Sequence, residues 1–162
     1  MKNTTGQPTN DIEKVINTYG NMLFRLCLIT LGNANDAEDA VQETLIKYFQ
    51  KAPLFKNEEH KKAWLLTVAT NQCRDILRFK KRHPIINIDE INEFTGETTD
   101  SGILDALMTL PDRYRTVLIL YYVEEYSIKN IANIIGKTAS AVKMRLQKGR
   151  KLLSEAYRKE CM

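Results

Sequence analysis

The chain has 162 residues, 43% hydrophobic and 27% charged, with 7 glycines, 4 prolines and a formal net charge of +4. That length suits one ordinary domain or two small ones, and so few glycines and prolines exclude collagen-like and broadly disordered classes. No apolar run approaches the roughly 18 residues of a membrane helix, and the polar start MKNTTGQPTND lacks the basic-then-apolar order of a signal peptide, so a cytoplasmic, helix-rich protein is expected.

Residues 1–10 read as a disordered tail. Ile12, Val15, Ile16, Tyr19, Leu23 and Leu26 then recur at steps of three and four, the period of a helix with one buried face. GNAN breaks that helix, and Asn35 is the expected cap of the next, from about Asp36 to Lys51, which buries Ala37, Val41, Leu45 and Tyr48 and stops near Pro53. Its opening carries Asp36, Glu38, Asp39 and Glu43. Asp36, Asp39 and Glu43 share one stripe, but a convex helix surface lacks the enclosing ligands that calcium or magnesium requires and offers no cleft to shift a catalytic pKa. Asp36 and Glu38 are expected to serve the helix dipole, and Asp39, Gln42 and Glu43 to form a docking face.

After the polar stretch KNEEHKK, a third helix is expected from about Ala63 to Lys81, with Leu65, Val68, Ala69, Cys73 and Ile76 buried. Thr67, Asn71, Arg74 and Arg78 fall at i, i+4, i+7 and i+11 and line one polar face, which runs into the basic cluster RFKKRH. Trp64 abuts the buried stripe and reads as core. Cys27, Cys73 and Cys161 show no CxxC spacing, so neither a disulfide framework nor a zinc site is expected, and the first two read as reduced core residues.

Residues 83–101 lack sustained periodicity and carry Pro, Gly, Thr and acids, as a flexible linker would. From His83 to Asp105 there are six acids and no Lys or Arg, whereas Ser127 to Ser154 carries seven basic residues and no acid. Beyond the linker, a short helix ends before Pro111 and a longer one begins near it, with proline in the first turn. Ser127 then caps a helix with Ile128, Ile131, Ala132 and Ile135 at its buried face, Gly136 ends it, and Thr138 caps a second that buries Val142, Leu146 and Gly149. Two short helices about a Gly-containing turn define a helix-turn-helix, whose second helix can enter the DNA major groove. Here that helix exposes Ser140, Lys143, Met144, Gln147, Lys148 and Lys151.

DAEDAVQETLIKYF, AWLLTVATNQCRDILRFKKR and LPDRYRTVLILYYVEEYSIKNIANIIGKTASAVKMRLQKGRKLL, in that order, resemble the extracytoplasmic-function sigma factors of bacterial RNA polymerase. The resemblance implies an all-α chain of two small helical domains joined by a flexible acidic linker: a region-2 domain at 11–82 for core polymerase and the −10 element, and a region-4 domain at 102–162 for the −35 element. It implies that Asp39, Gln42 and Glu43 contact the β′ clamp helices, with the β subunit a further partner. Asn71 takes the position of a base-reading asparagine, with Arg74, Arg78, Lys80 and Lys81 as further −10 contacts. Thr138, Ser140, Lys143, Met144, Gln147, Lys148 and Lys151 fall to the −35 element. An anti-sigma factor, possibly membrane-bound, is an implied partner, and family linkers run toward the RNA exit path, where acids mimic the transcript. No metal, cofactor or small-molecule substrate is implied.

The chain departs from common family members in two places. Met144 and Gln147 stand where arginine or bulky apolar groups occur elsewhere, and Lys56 to Lys62 lacks a Gly-containing loop before Trp64. Independently of the name, asparagine carries a donor and an acceptor that read a base edge, and arginines on the same face hold phosphates. The competing reading is a single-domain regulator that meets duplex DNA through the helix-turn-helix alone. An enzyme would need a catalytic constellation, yet the chain holds only His60 and His83, with no HExxH, phosphate loop or nucleophile elbow.

Overall fold

The structure, a computed structural model, describes residues 8–80 and 101–160. The expected tail up to residue 7, Lys81, the linker up to residue 100 and Cys161 lie outside the described residues. Seven helices and no strand are present among those described.

Helix α1 spans Pro8–Leu31 and so takes up the last three residues of the expected tail. It buries Val15, Tyr19, Leu23 and Leu26, whereas Ile16 is exposed. Gly32 ends it in the left-handed conformation, φ 74°, its N–H donating to the Leu28 carbonyl at 2.7 Å. Helix α2 spans Ala34–Lys51, and its cap is Asn33 rather than Asn35: the Asn33 side chain accepts from the Asp36 N–H at 2.9 Å. GNAN holds two asparagines, and the helix takes the one that lets Ala34 add a turn residue. The buried face is Ala37, Ala40, Thr44 and Tyr48, with Val41 and Leu45 only partly covered. Small side chains in the middle of that face let α1 approach closely, and the buried Thr44 hydroxyl donates to the Ala40 carbonyl at 2.7 Å.

Helix α3 runs Glu58–Phe79, starting ahead of the expected Ala63 and stopping short of Lys81. Asn57 caps it by accepting from the His60 N–H at 2.8 Å, and Glu58 and Glu59 occupy the dipole-favoured first turn. Those polar residues show no apolar period, which is why a pattern-based start falls too late. Trp64 packs edge-on to Tyr48 and Phe55, with ring centroids 6.1 and 5.8 Å away. The Tyr19 hydroxyl donates to Glu58 Oε1 at 2.5 Å and ties this early start to α1.

Burial, and then the Glu58 contact, push the Tyr19 phenol from 10.0 up to about 12. A folded-state pKa above the unfolded one means that the stabilisation is intact below pH 10 and disappears as pH rises toward 12. Phenolate absorbance is expected to show Tyr19 ionising near pH 12 in the folded chain, and at lower pH once Glu58→Gln removes the charge.

The second unit comprises α4 (Ser101–Thr109), α5 (Asp112–Tyr122), α6 (Ile128–Ile135) and α7 (Ala139–Glu160). Ser101 opens a helix instead of closing the linker, and Pro111 sits at the cap position of α5 rather than within its first turn. Gly136, at φ 71°, ends α6 as expected, and the Ser127 side chain accepts from the Asn130 N–H at 3.1 Å. Helix α7 continues well past Leu153 and packs on α4 and α5. Gly149 permits the approach to α5, because a Cβ there would meet Leu118 Cδ1 at 3.3 Å.

The two units pack together, α1 against α5 and α3 against α6. Arg115, buried on α5, links them: Nε donates to the Ile29 carbonyl at 2.7 Å, Nη2 to the Thr30 carbonyl at 2.6 Å, and Nη1 to the Leu110 carbonyl. Glu124, 6% exposed at its side chain, takes Arg25 at 2.7 Å and Lys62 at 3.9 Å.

Candidate nucleic-acid interface

The strongest local geometry is the helix-turn-helix. Thr138 caps α7, its hydroxyl accepting from the Ala141 N–H at 3.1 Å. Val142, Leu146 and Gly149 face inward. Ser140, Lys143, Met144, Gln147, Lys148 and Lys151 are all exposed on one side of α7, the positions expected from the sequence. Lysine ammoniums suit phosphates, and Gln147 offers the donor and acceptor that a base edge needs. Met144, 67% exposed, places an apolar group on the same stripe, where it suits contact with a thymine methyl.

The polar face of α3 is less open. Asn71 and Arg78 are exposed, but Thr67 and Arg74 are half-buried because α6 lies over them. Arg74 Nη2 donates to the Ile135 carbonyl at 2.9 Å, while Nη1 reaches Asn71 Oδ1 at 3.4 Å. Arg78 pairs with Asp75 at 3.5 Å. Lys80 pairs with Asp36 at 2.8 Å, and that contact raises the Lys80 pKa. Asp36 therefore links α2 to the end of α3 as well as serving its own helix start. Beside this face, Trp64, Thr67, Tyr126, Asn130 and Asn133 line a groove of about 390 Å³ between α3 and α6.

On α2, Asp39, Gln42 and Glu43 are exposed together, and neither acid forms an ion pair among the described residues. Ile46 and Phe49, 46% and 57% exposed, extend the same face and were not singled out by sequence reasoning. Their signal was present, since both fall off the buried period of α2. No group of three or more His, Cys, Asp or Glu among the described residues is placed to hold a metal ion. No described helix is long and apolar enough to cross a membrane.

Two family models match the chain, sigma-70 region 2 over residues 15–83 and sigma-70 region 4 over residues 101–153. The ECF RNA polymerase sigma factor SigW of Bacillus subtilis is 30% identical over 89% of this chain and 87% of its own length. The RNA polymerase sigma factor SigV of the same organism is 32% identical, covering 85% of each chain. In overall fold, the chain superposes on the sigma factor RpoE of Bartonella quintana, solved in complex with the anti-sigma factor NepR, with a TM-score of 0.71 at 22% identity, over 91% of this chain and 97% of that one.

Proposed function

Because the chain belongs to the ECF sigma factors of the sigma-70 family, which direct RNA polymerase to specific promoters, we propose a division of labour among three surfaces on α2, α3 and α7. On α2, Asp39, Gln42 and Glu43, with Ile46 and Phe49 beside them, dock on a basic, partly apolar surface of the core enzyme, the β′ clamp helices in the family's arrangement. On α3, Asn71 reads a separated −10 base while Arg74 and Arg78, with Lys80 at the helix end, hold the backbone, and Lys81, outside the described residues, adds a further cation in the sequence. On α7, Lys143, Lys148 and Lys151 hold −35 phosphates, and Ser140, Met144 and Gln147 face the base edges, with Thr138 at the helix start. The chain performs no catalysis of its own, requires no cofactor, works in the cytoplasm and is held in check by an anti-sigma partner.

The observation that carries this reading is the α7 face, where six candidate contacts are all exposed on one side of a capped second helix behind a Gly136 turn. A base captured out of the stack costs least where the strand is already separated, so an asparagine on α3 serves melting rather than duplex recognition. The positions −35 and −10 differ by about 25 base pairs, or about 85 Å of duplex at 3.4 Å per base pair. A compact chain of this length has a radius of gyration of about 15 Å and a breadth of about 40 Å. Engaging both elements therefore requires α3 and α6 to part, which also releases Arg74 from the Ile135 carbonyl.

In run-off transcription with core polymerase, Asn71→Ala is expected to reduce open-complex formation about tenfold, in line with the roughly 1–3 kcal/mol of a base contact, and to leave core binding intact. Equal loss of both, or loss of neither, counts against the assignment. If the chain bound duplex DNA strongly without core enzyme, a stand-alone regulator would replace this reading.

A further inference from the structure

Between the two units lies a second cavity, of about 160 Å³, whose walls include Arg74 from α3, Asp112 and Arg113 from the start of α5, Lys137 from the turn before α7, and Arg145 from α7 itself. That volume is well above the roughly 10–15 Å³ that admits one water. Four basic residues and one carboxylate therefore line it, with the Arg113 guanidinium over the Tyr114 ring, 4.6 Å from its centroid, and Arg74 Nη2 on the Ile135 carbonyl. None of the four forms an ion pair among the described residues. Arg145 is half-buried and lies off the exposed stripe of α7, so it is not spent on the DNA-facing surface. The α5 start contributes in the same sense, since Pro111 supplies no side-chain cap and the first-turn N–H groups carry the positive end of the helix dipole.

Like charges gathered in a partly enclosed space repel more strongly than on open surface, because the local dielectric is lower. Asp112 is the one carboxylate among the lining residues, so the lining carries a net positive formal charge. Guanidinium forks match phosphate oxygens in bidentate geometry, and lysine adds a mobile point charge. The cavity spans elements of both units, so an anion seated there would be held by both at once.

We propose that this cavity binds a free phosphate-type anion, orthophosphate or pyrophosphate in kind, and that its occupancy fastens the two units together. The chemistry recognised is the phosphoryl oxyanion, which a DNA phosphodiester also presents. The partly enclosed position between α3 and α7 favours the small free anion. The binding claim is independent of the promoter contacts assigned above; its regulatory consequence rests on them, because an occupied cavity keeps Arg74 under α6.

The test is thermal unfolding of the full chain titrated with pyrophosphate at constant ionic strength. A saturable rise in Tm of about 2–4 °C or more is expected, the response of a chain this size to modest ligand stabilisation. Lys137→Gln and Arg145→Gln should each weaken the apparent pyrophosphate affinity at least tenfold, and Lys129→Gln, an exposed cation outside the cavity, should leave it unchanged. Lys137 is exposed, so its substitution tests the site even if Arg145→Gln impairs folding. No saturable shift, or an equal shift in Lys137→Gln and the parent chain, overturns the proposal. If a short single-stranded oligonucleotide binds through Lys137 and Arg145 while pyrophosphate does not, the cations belong to the DNA path, which overturns it as well. Normal pyrophosphate binding in a chain that fails to initiate transcription would sink the promoter reading and leave this site standing.

Discussion

Replacing Arg115 with alanine is expected to destabilise the chain by about 3 kcal/mol, or about 6–12 °C in Tm, and to uncouple its two units. The size of the effect follows from what the guanidinium satisfies. The last carbonyls of a helix have no partner within it. At the end of α1, the Leu28 carbonyl is taken by the Gly32 N–H, while those of Ile29 and Thr30 are taken by Arg115 reaching over from α5. A third bond, to the Leu110 carbonyl, fixes the corner between α4 and α5. Truncation leaves three carbonyls without this donor and opens a void where a side chain 7% exposed had been. Arg115→Lys retains the charge beside the α1 C-terminus but cannot fork to three acceptors, so an intermediate loss is expected. Calorimetry is the measurement: one transition in the parent chain should broaden or split in Arg115→Ala as the units unfold separately. An unchanged Tm and transition width would mean that apolar packing alone holds the seam.

Arg115 also shows where sequence reading stopped. The helix-turn-helix was legible because its determinants are local: a serine cap, a glycine at positive φ, a threonine cap, and apolar residues at helical spacing, all within about thirty residues. The start of α3 was misjudged because capping asparagine and first-turn glutamates stabilise a helix without any apolar period to announce it. The packing of the two units left no local trace at all. Its polar anchors include a buried arginine bonded to backbone carbonyls, and Glu124 with its partners Arg25 and Lys62 far off in the chain. Backbone acceptors have no residue type, so nothing in the string marks them. The same seam explains why Arg74, which helical spacing places on one polar face with Asn71, is half-covered: the residues that cover it come from α6.

Reversing both acids of the α2 face, Asp39→Arg with Glu43→Arg, is expected to weaken binding to core polymerase by about 30–100-fold, which corresponds to about 2–3 kcal/mol. Exposed ion pairs within one protein contribute little, but like charges pressed together across an interface cost several kcal/mol because neither can retain its full hydration. Fold stability should move by no more than about 0.5 kcal/mol, since both residues are exposed, unpaired and beyond the first turn of α2, where the dipole would otherwise penalise a cation. Ile46→Ser and Phe49→Ser test the apolar half of the same surface, and they should raise the core dissociation rate rather than slow association. Binding of the chain to core enzyme, read by pull-down or fluorescence anisotropy, separates the outcomes. If the reversed chain binds as tightly as the parent while remaining folded, Asp39 and Glu43 form only a hydrated helix face, and the exposed Ile46 and Phe49 must serve a different partner.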